Sequence, residues 1–200
     1  MRILHTIGRL GPDAPEAAIL DIARWQAAQG CQVVLALPPS AALTDADRTA
    51  GLKLETVDLA SRFAEREVAL LRAAVRRHAI EVVHVHDETA SLPALMSADM
   101  CPVVRSVDKI EAARLVEAAG GLPFDHLLVE TAVLRDRLVK AELTERAHVT
   151  VLTGAADARM ERLLEAYERA VVRSITGRLI PPRFVGGQPA LRRIAPLAAE

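Results

Sequence analysis

His84 and His86 stand two residues apart at the end of the apolar run Ile80-Glu-Val-Val-His-Val-His86. Side chains alternate along a strand, so both imidazoles face one side of it. Such a pair suits three roles. It could line a ligand cleft and exchange protons. It could bind a metal, with Asp87, Glu88 or His5 as further ligands. Or it could close the strand as buried, hydrogen-bonded rings. His86 lies at the C-terminal end of the run, where open parallel sheets bind their ligands. It is therefore the better candidate for ligand contact, and His84 for a structural role. Asp87 and Glu88 follow directly. Paired acids there could hold ligand hydroxyls or do acid–base work; equally, they could cap a helix near Ser91.

Gly8 and Gly11 follow the first apolar run and precede a helical pattern. A glycine turn feeding a helix can offer backbone N–H groups to a phosphate, or it can be an ordinary tight turn. Asp13, Ala14 and Pro15 stand next. They add a negative charge, add a Cβ and remove an N–H donor, which favours helix capping over anion binding. Arg105, Asp108 and Lys109 cluster after a later strand. They could contact a polar ligand or be solvated charges.

These residues need a scaffold, and the chain supplies strands alternating with helices. Strands are expected at Arg2–Ile7, Cys31–Leu37, Lys53–Val57, Glu81–His86, Pro102–Val107, His126–Val129 and Val149–Leu152. Helices are expected at Pro15–Gln29, stopped by Gly30, then at Phe63–His78, Ser91–Ala98, Lys109–Ala119 and Ala132–Ala141, the last capped by Thr131. Nearly all-apolar short strands suit a parallel sheet covered on both faces. The class is α/β, with right-handed crossovers. Ala158–Arg173 then forms an amphipathic helix, with Met160, Leu163, Leu164, Tyr167, Ala170 and Val171 on one stripe. From Gly177 on, four prolines, two more glycines and four arginines predict an irregular tail.

Composition narrows the function. The chain has 200 residues, 51% of them hydrophobic but only 2% aromatic. One core of Ala, Val, Leu and Ile fits that, and an aromatic-rich β-sandwich does not. Basic and acidic residues number 25 and 26, so no basic excess points to nucleic acid. Cys31 and Cys101 form no CxxC motif and are expected to be buried thiols in a reducing compartment. The N-terminal apolar run is too short for a signal peptide, and Pro38-Pro39 breaks the longest uncharged run. The expectation is a cytoplasmic protein without a transmembrane segment, with peripheral membrane attachment left open.

Three segments together resemble one family. They are Ile3-Leu-His-Thr-Ile-Gly-Arg-Leu-Gly-Pro12 running on to Val34, then Ile80–His86, then His126–Leu138 followed by Val149–Asp157. In order and spacing they are similar to the N-terminal half of family-4 glycosyltransferases with the GT-B fold. The resemblance implies a Rossmann-like, acceptor-side domain over residues 1–157. It implies that 158–176 is the helix that crosses back onto that domain, with 177–200 as the tail. It places His86 in the cleft as the catalytic candidate; the residue patterns above make Gly8, Gly11, Asp87, Glu88, Arg105, Asp108 and Lys109 candidate substrate-binding residues. No metal or cofactor is implied.

The family's donor-gripping residues have no counterpart here; Glu161 and Glu168 are seven apart rather than eight. The resemblance thus implies a truncated transferase domain, inactive alone in hexosyl transfer from a nucleotide sugar. It would act on a sugar or glycolipid acceptor with a nucleotide-sugar-binding partner chain, or assemble with itself through an exposed face. The alternatives are a non-catalytic binding or scaffold protein of the same ancestry and, last, an unrelated nucleotide-binding domain, since no complete GxGxxG is present.

Overall fold

The computed structural model describes residues 1–8, 16–40, 44–59, 64–87, 90, 94, 99–107, 124–141 and 144–179. Its strands are β1 (Arg2–Thr6), β2 (Gln32–Leu37), β3 (Lys53–Thr56), β4 (Val82–Val85), β5 (Val103–Val107), β6 (His126–Val129) and β7 (Val149–Val151). They form one parallel sheet in the order β3-β2-β1-β4-β5-β6-β7. The order reverses between β1 and β4. Chains leave these neighbouring strands in opposite directions, the kind of position at which open parallel sheets bind ligands.

The described helices are α1 (Glu16–Ala28), α2 (Asp45–Thr49), α3 (Ala64–Arg77), α4 (Ala132–Lys140) and α5 (Ala156–Leu179). One sheet face carries Ile3, Val82, Val104 and Leu128. Leu163, Ala166, Tyr167 and Ala170 of α5 pack on it at i, i+3, i+4 and i+7. Beside them α1 lays Ile19 and Ala23 over Val33, Leu35 and Leu37. The opposite face carries Leu4, Val34, Val83, Val85, Val103 and Leu127 under Leu71 and Val75 of α3 and Leu134 and Leu138 of α4. Each large aliphatic side chain so buried contributes about 1.5–3 kcal/mol. This is a three-layer α/β domain, as the strand–helix alternation predicts.

Local chemistry sets the element ends. Gly30 takes φ +81° after α1, and the Cys31 N–H closes back on the Gln26 carbonyl at 3.0 Å. Thr131 caps α4 by accepting from the Leu134 N–H at 3.2 Å, as expected. The terminal helix is longer than its predicted 158–176 span. It runs from Ala156 through Gly177 to Leu179, because one glycine inside a long packed helix costs only about 1 kcal/mol. Residues 180–200 of the expected tail lie outside the described residues, as do the expected helices at 109–119 and, except Ala94, at 91–98. Cys101 is buried as expected, but Cys31 is only half-buried, sitting at the edge where β2 begins.

Candidate functional site

The ends of β1 and β4 are stitched together. The His86 N–H donates to the Thr6 carbonyl at 3.2 Å. The Gly8 N–H donates to Oδ2 of Asp87, and Oδ1 of Asp87 accepts from the Ala90 N–H at 3.0 Å. Asp87 therefore holds the chain after β1 and the chain after β4 with one carboxylate. Its bond to the third residue onward is the geometry of a capping aspartate. The Gly8 N–H, one donor a phosphate could have used, is taken by the chain's own carboxylate.

Beneath this seam lies a cluster of imidazoles that the strand register builds. His5 and His84 are direct neighbours across β1 and β4. His84 and His86 share a face, with ring centroids 3.8 Å apart. His5 Nδ1 lies 2.8 Å from His86 Nε2, and His5 Nε2 lies 2.8 Å from Gln26 Oε1 of α1. Gln26 Nε2 reaches Tyr167 Oη at 3.4 Å, Tyr167 Oη lies 2.6 Å from His84 Nδ1, and His84 Nε2 lies 2.8 Å from Ser106 Oγ. His5, His84, Gln26 and Tyr167 are fully or almost fully buried; His86 is half-buried.

Burial holds these rings neutral. It pushes His5 down to about 4, against a smaller upward pull from its bond to Gln26. Burial takes His84 well below its usual value, and its neighbours His86 and His5 add to the effect. His86 is lowered by burial and by His5. Burial also raises the Tyr167 hydroxyl, so it remains a phenol.

His5, His84 and His86 are close enough to suggest a metal centre, and His5 completes the set considered in the sequence. The bonding argues otherwise. Two imidazoles on one tetrahedral zinc keep their ligand nitrogens about 3.3 Å apart, given Zn–N bonds of about 2.0–2.1 Å. The 2.8 Å separation of His5 and His86 is that of a hydrogen bond. His5 and His84 also have both ring nitrogens engaged by protein partners.

A second polar pair lies further along the same face. His126 Nε2 lies 2.8 Å from Thr150 Oγ1, and its Nδ1 lies 3.0 Å from Arg173 of α5. Arg173 also donates to the Ala147 carbonyl at 3.0 Å. A guanidinium only donates, so His126 Nδ1 accepts and Nε2 carries the proton. Burial, then the Arg173 charge, pushes His126 down to about 3. Tyr167 and Arg173 thus fix the position of α5 on the sheet, where apolar contacts alone would tolerate sliding.

Of the residues singled out in the sequence, the structure brings Gly8, His84, His86 and Asp87 together at the β1–β4 seam. Gly11, Glu88, Asp108 and Lys109 lie outside the described residues. Arg105 is not a solvated charge. It is fully buried on the other sheet face, between Val103 and Val107, with its guanidinium 5.4 Å from the centre of the Phe124 ring. Glu161 and Glu168 are exposed on α5. Sequence reasoning missed Gln26 and Tyr167 as polar partners. Their signal was present: each is a polar group on the buried stripe of its helix, Gln26 after Ile19 and Ala23, Tyr167 between Leu163 and Ala170.

No protein-family model and no curated protein matches the sequence. Solved structures do match the fold. A glycosyltransferase from Rickettsia africae ESF-5 aligns with a TM-score of 0.57 at 9% identity, over 84% of this chain and 49% of that one. Anabaena HepE, solved with UDP and glucose, aligns at 0.57 and 13% identity, over 78% of this chain and 45% of its own. The UDP-GlcNAc 2-epimerase of Neisseria meningitidis, solved with UDP-GlcNAc, aligns at 0.53 and 14% identity, over 90% and 53%. The chain spans about half the length of these proteins. The fold is that of a GT-B-like half-domain, a parallel Rossmann-like sheet flanked by helices. Among the described residues, no helix is long and apolar enough to cross a membrane.

Proposed function

We propose that this chain is the acceptor-side half of a family-4-type glycosyltransferase architecture. It would bind a hydroxyl-rich sugar or glycolipid acceptor at the C-terminal ends of β1 and β4. Transfer would need a nucleotide-sugar-binding domain in addition to this one. The observation that carries the reading is the seam itself: His86 and Asp87 stand at the reversal point of a sheet whose fold is shared with sugar-nucleotide enzymes. The capture of the Gly8 N–H by Asp87 favours a neutral ligand over a phosphate there. His86 is the residue we assign to ligand contact, and Asp87 to holding the β1–β4 seam beside it.

The test is saturation-transfer NMR with glucose, mannose and N-acetylglucosamine on the wild type and on His86→Ala. Contact signals present in the wild type and lost in a folded variant support the reading. Equal signals in both, or a variant that only loses stability, contradict it. A scaffold role with no chemistry is the second reading, favoured by the bond that closes Gly8. It predicts no saccharide contact in either protein.

A further inference from the structure

We propose that Gln26 is a positioning residue that holds His86 in one tautomer, with its Nδ1 lone pair left to accept a ligand hydroxyl. The direction of the hydrogen-bond chain follows from one amide. Gln26 presents Oε1 to His5 and Nε2 to Tyr167. A carbonyl oxygen only accepts and an amide NH2 only donates. His5 therefore carries its proton on Nε2. A neutral imidazole has a single N–H, so His5 Nδ1 must accept, and the donor across 2.8 Å is His86 Nε2. That leaves His86 Nδ1 bare.

On the other side, Tyr167 Oη accepts from Gln26, and its own proton goes to His84 Nδ1 at 2.6 Å. His84 then holds its proton on Nε2 and donates to Ser106 Oγ at 2.8 Å. The five bonds form one directed chain from His86 to Ser106. Turning the Gln26 amide over would reverse every member and place a proton on His86 Nδ1. Tyr167 carries the chain on from Gln26 to His84. A neutral, fixed lone pair suits a hydroxyl donor and offers nothing to a phosphate. The ligand's chemistry rests on the acceptor-side reading above; the tautomer pattern does not.

The experiment is ring 15N NMR of the histidines in the ligand-free chain at pH 7.5, where protonated and bare ring nitrogens resonate far apart. The expected result is a single Nε2–H tautomer at His5, His84 and His86. In Gln26→Met, His86 should pass to a mixture of tautomers, although Gln26 does not touch it. Protonated Nδ1 at His86 in the wild type overturns the proposal. So does a single unchanged His86 tautomer in the variant. If the variant does not fold, the wild-type spectrum decides alone. Because no ligand is used, a correct pattern with no saccharide binding would contradict the acceptor-side reading and leave the positioning chain standing.

Discussion

The Tyr167 hydroxyl lies 2.6 Å from Nδ1 of His84, a strand residue 83 positions earlier in the chain. This bond ties the terminal helix to the layer that holds the site. Removing the hydroxyl leaves the His84 nitrogen and the Gln26 amide without their buried partner. Tyr167→Phe should therefore lower stability by about 1–3 kcal/mol, read as a shift in the urea midpoint with an unchanged slope. A loss below about 0.5 kcal/mol, the size of an ordinary surface change, would show that the bond holds little.

Acid should unfold this protein early. A buried histidine whose folded value lies below its unfolded one takes up protons more readily when unfolded. Its stability contribution is complete above about 6.5 and is lost as pH falls toward the folded value. His5, down at about 4, accounts by itself for a loss of about 2 kcal/mol between pH 7.5 and 5. His84, His86 and His126 are lowered as well and act in the same direction. Urea midpoints at the two pH values should differ accordingly. Equal midpoints would mean that these rings are not held neutral in the fold.

Asp87 should guard the Gly8 amide. In Asp87→Ala the Gly8 and Ala90 N–H groups lose their shared acceptor. Stability should fall by about 1–2 kcal/mol. The Gly8 amide signal of the variant should then move on addition of inorganic phosphate, while that of the wild type stays put. Movement in the wild type would show that the carboxylate does not occupy the anion position.

Ala79 is the described non-glycine residue with positive φ, at 49°, where α3 ends and the Ile80 N–H returns to the Val75 carbonyl at 2.9 Å. This is the left-handed closure that Gly30 makes after α1, here bearing a Cβ. Ala79→Gly should stabilise the protein by about 0.5–1 kcal/mol. Thermal melting checks it, and a lower Tm would contradict it.

The sheet was legible because its strands are short apolar runs with clear stops. His126–Val129 matches its expected bounds, and the other strands differ by a residue at one or both ends. The five-residue α2 was not legible, since it is too short to show a helical period. The site was half legible. Alternation placed His84 and His86 on one face, and the strand end singled out His86. The partners were not, because Gln26 lies 21 residues from His5 and 141 from Tyr167, and no local pattern encodes such distances. Arg105 shows the opposite failure. A lone arginine near a strand end reads as an exposed charge, and only the packing of Phe124 and the second sheet face reveals that it is buried.

The most direct measurement is calorimetric titration of the 200-residue chain with UDP- and GDP-sugars. An acceptor-side half-domain whose Gly8 amide is already taken should give no binding heat with either donor. A micromolar Kd for any nucleotide sugar would contradict the assignment of this chain to the acceptor side.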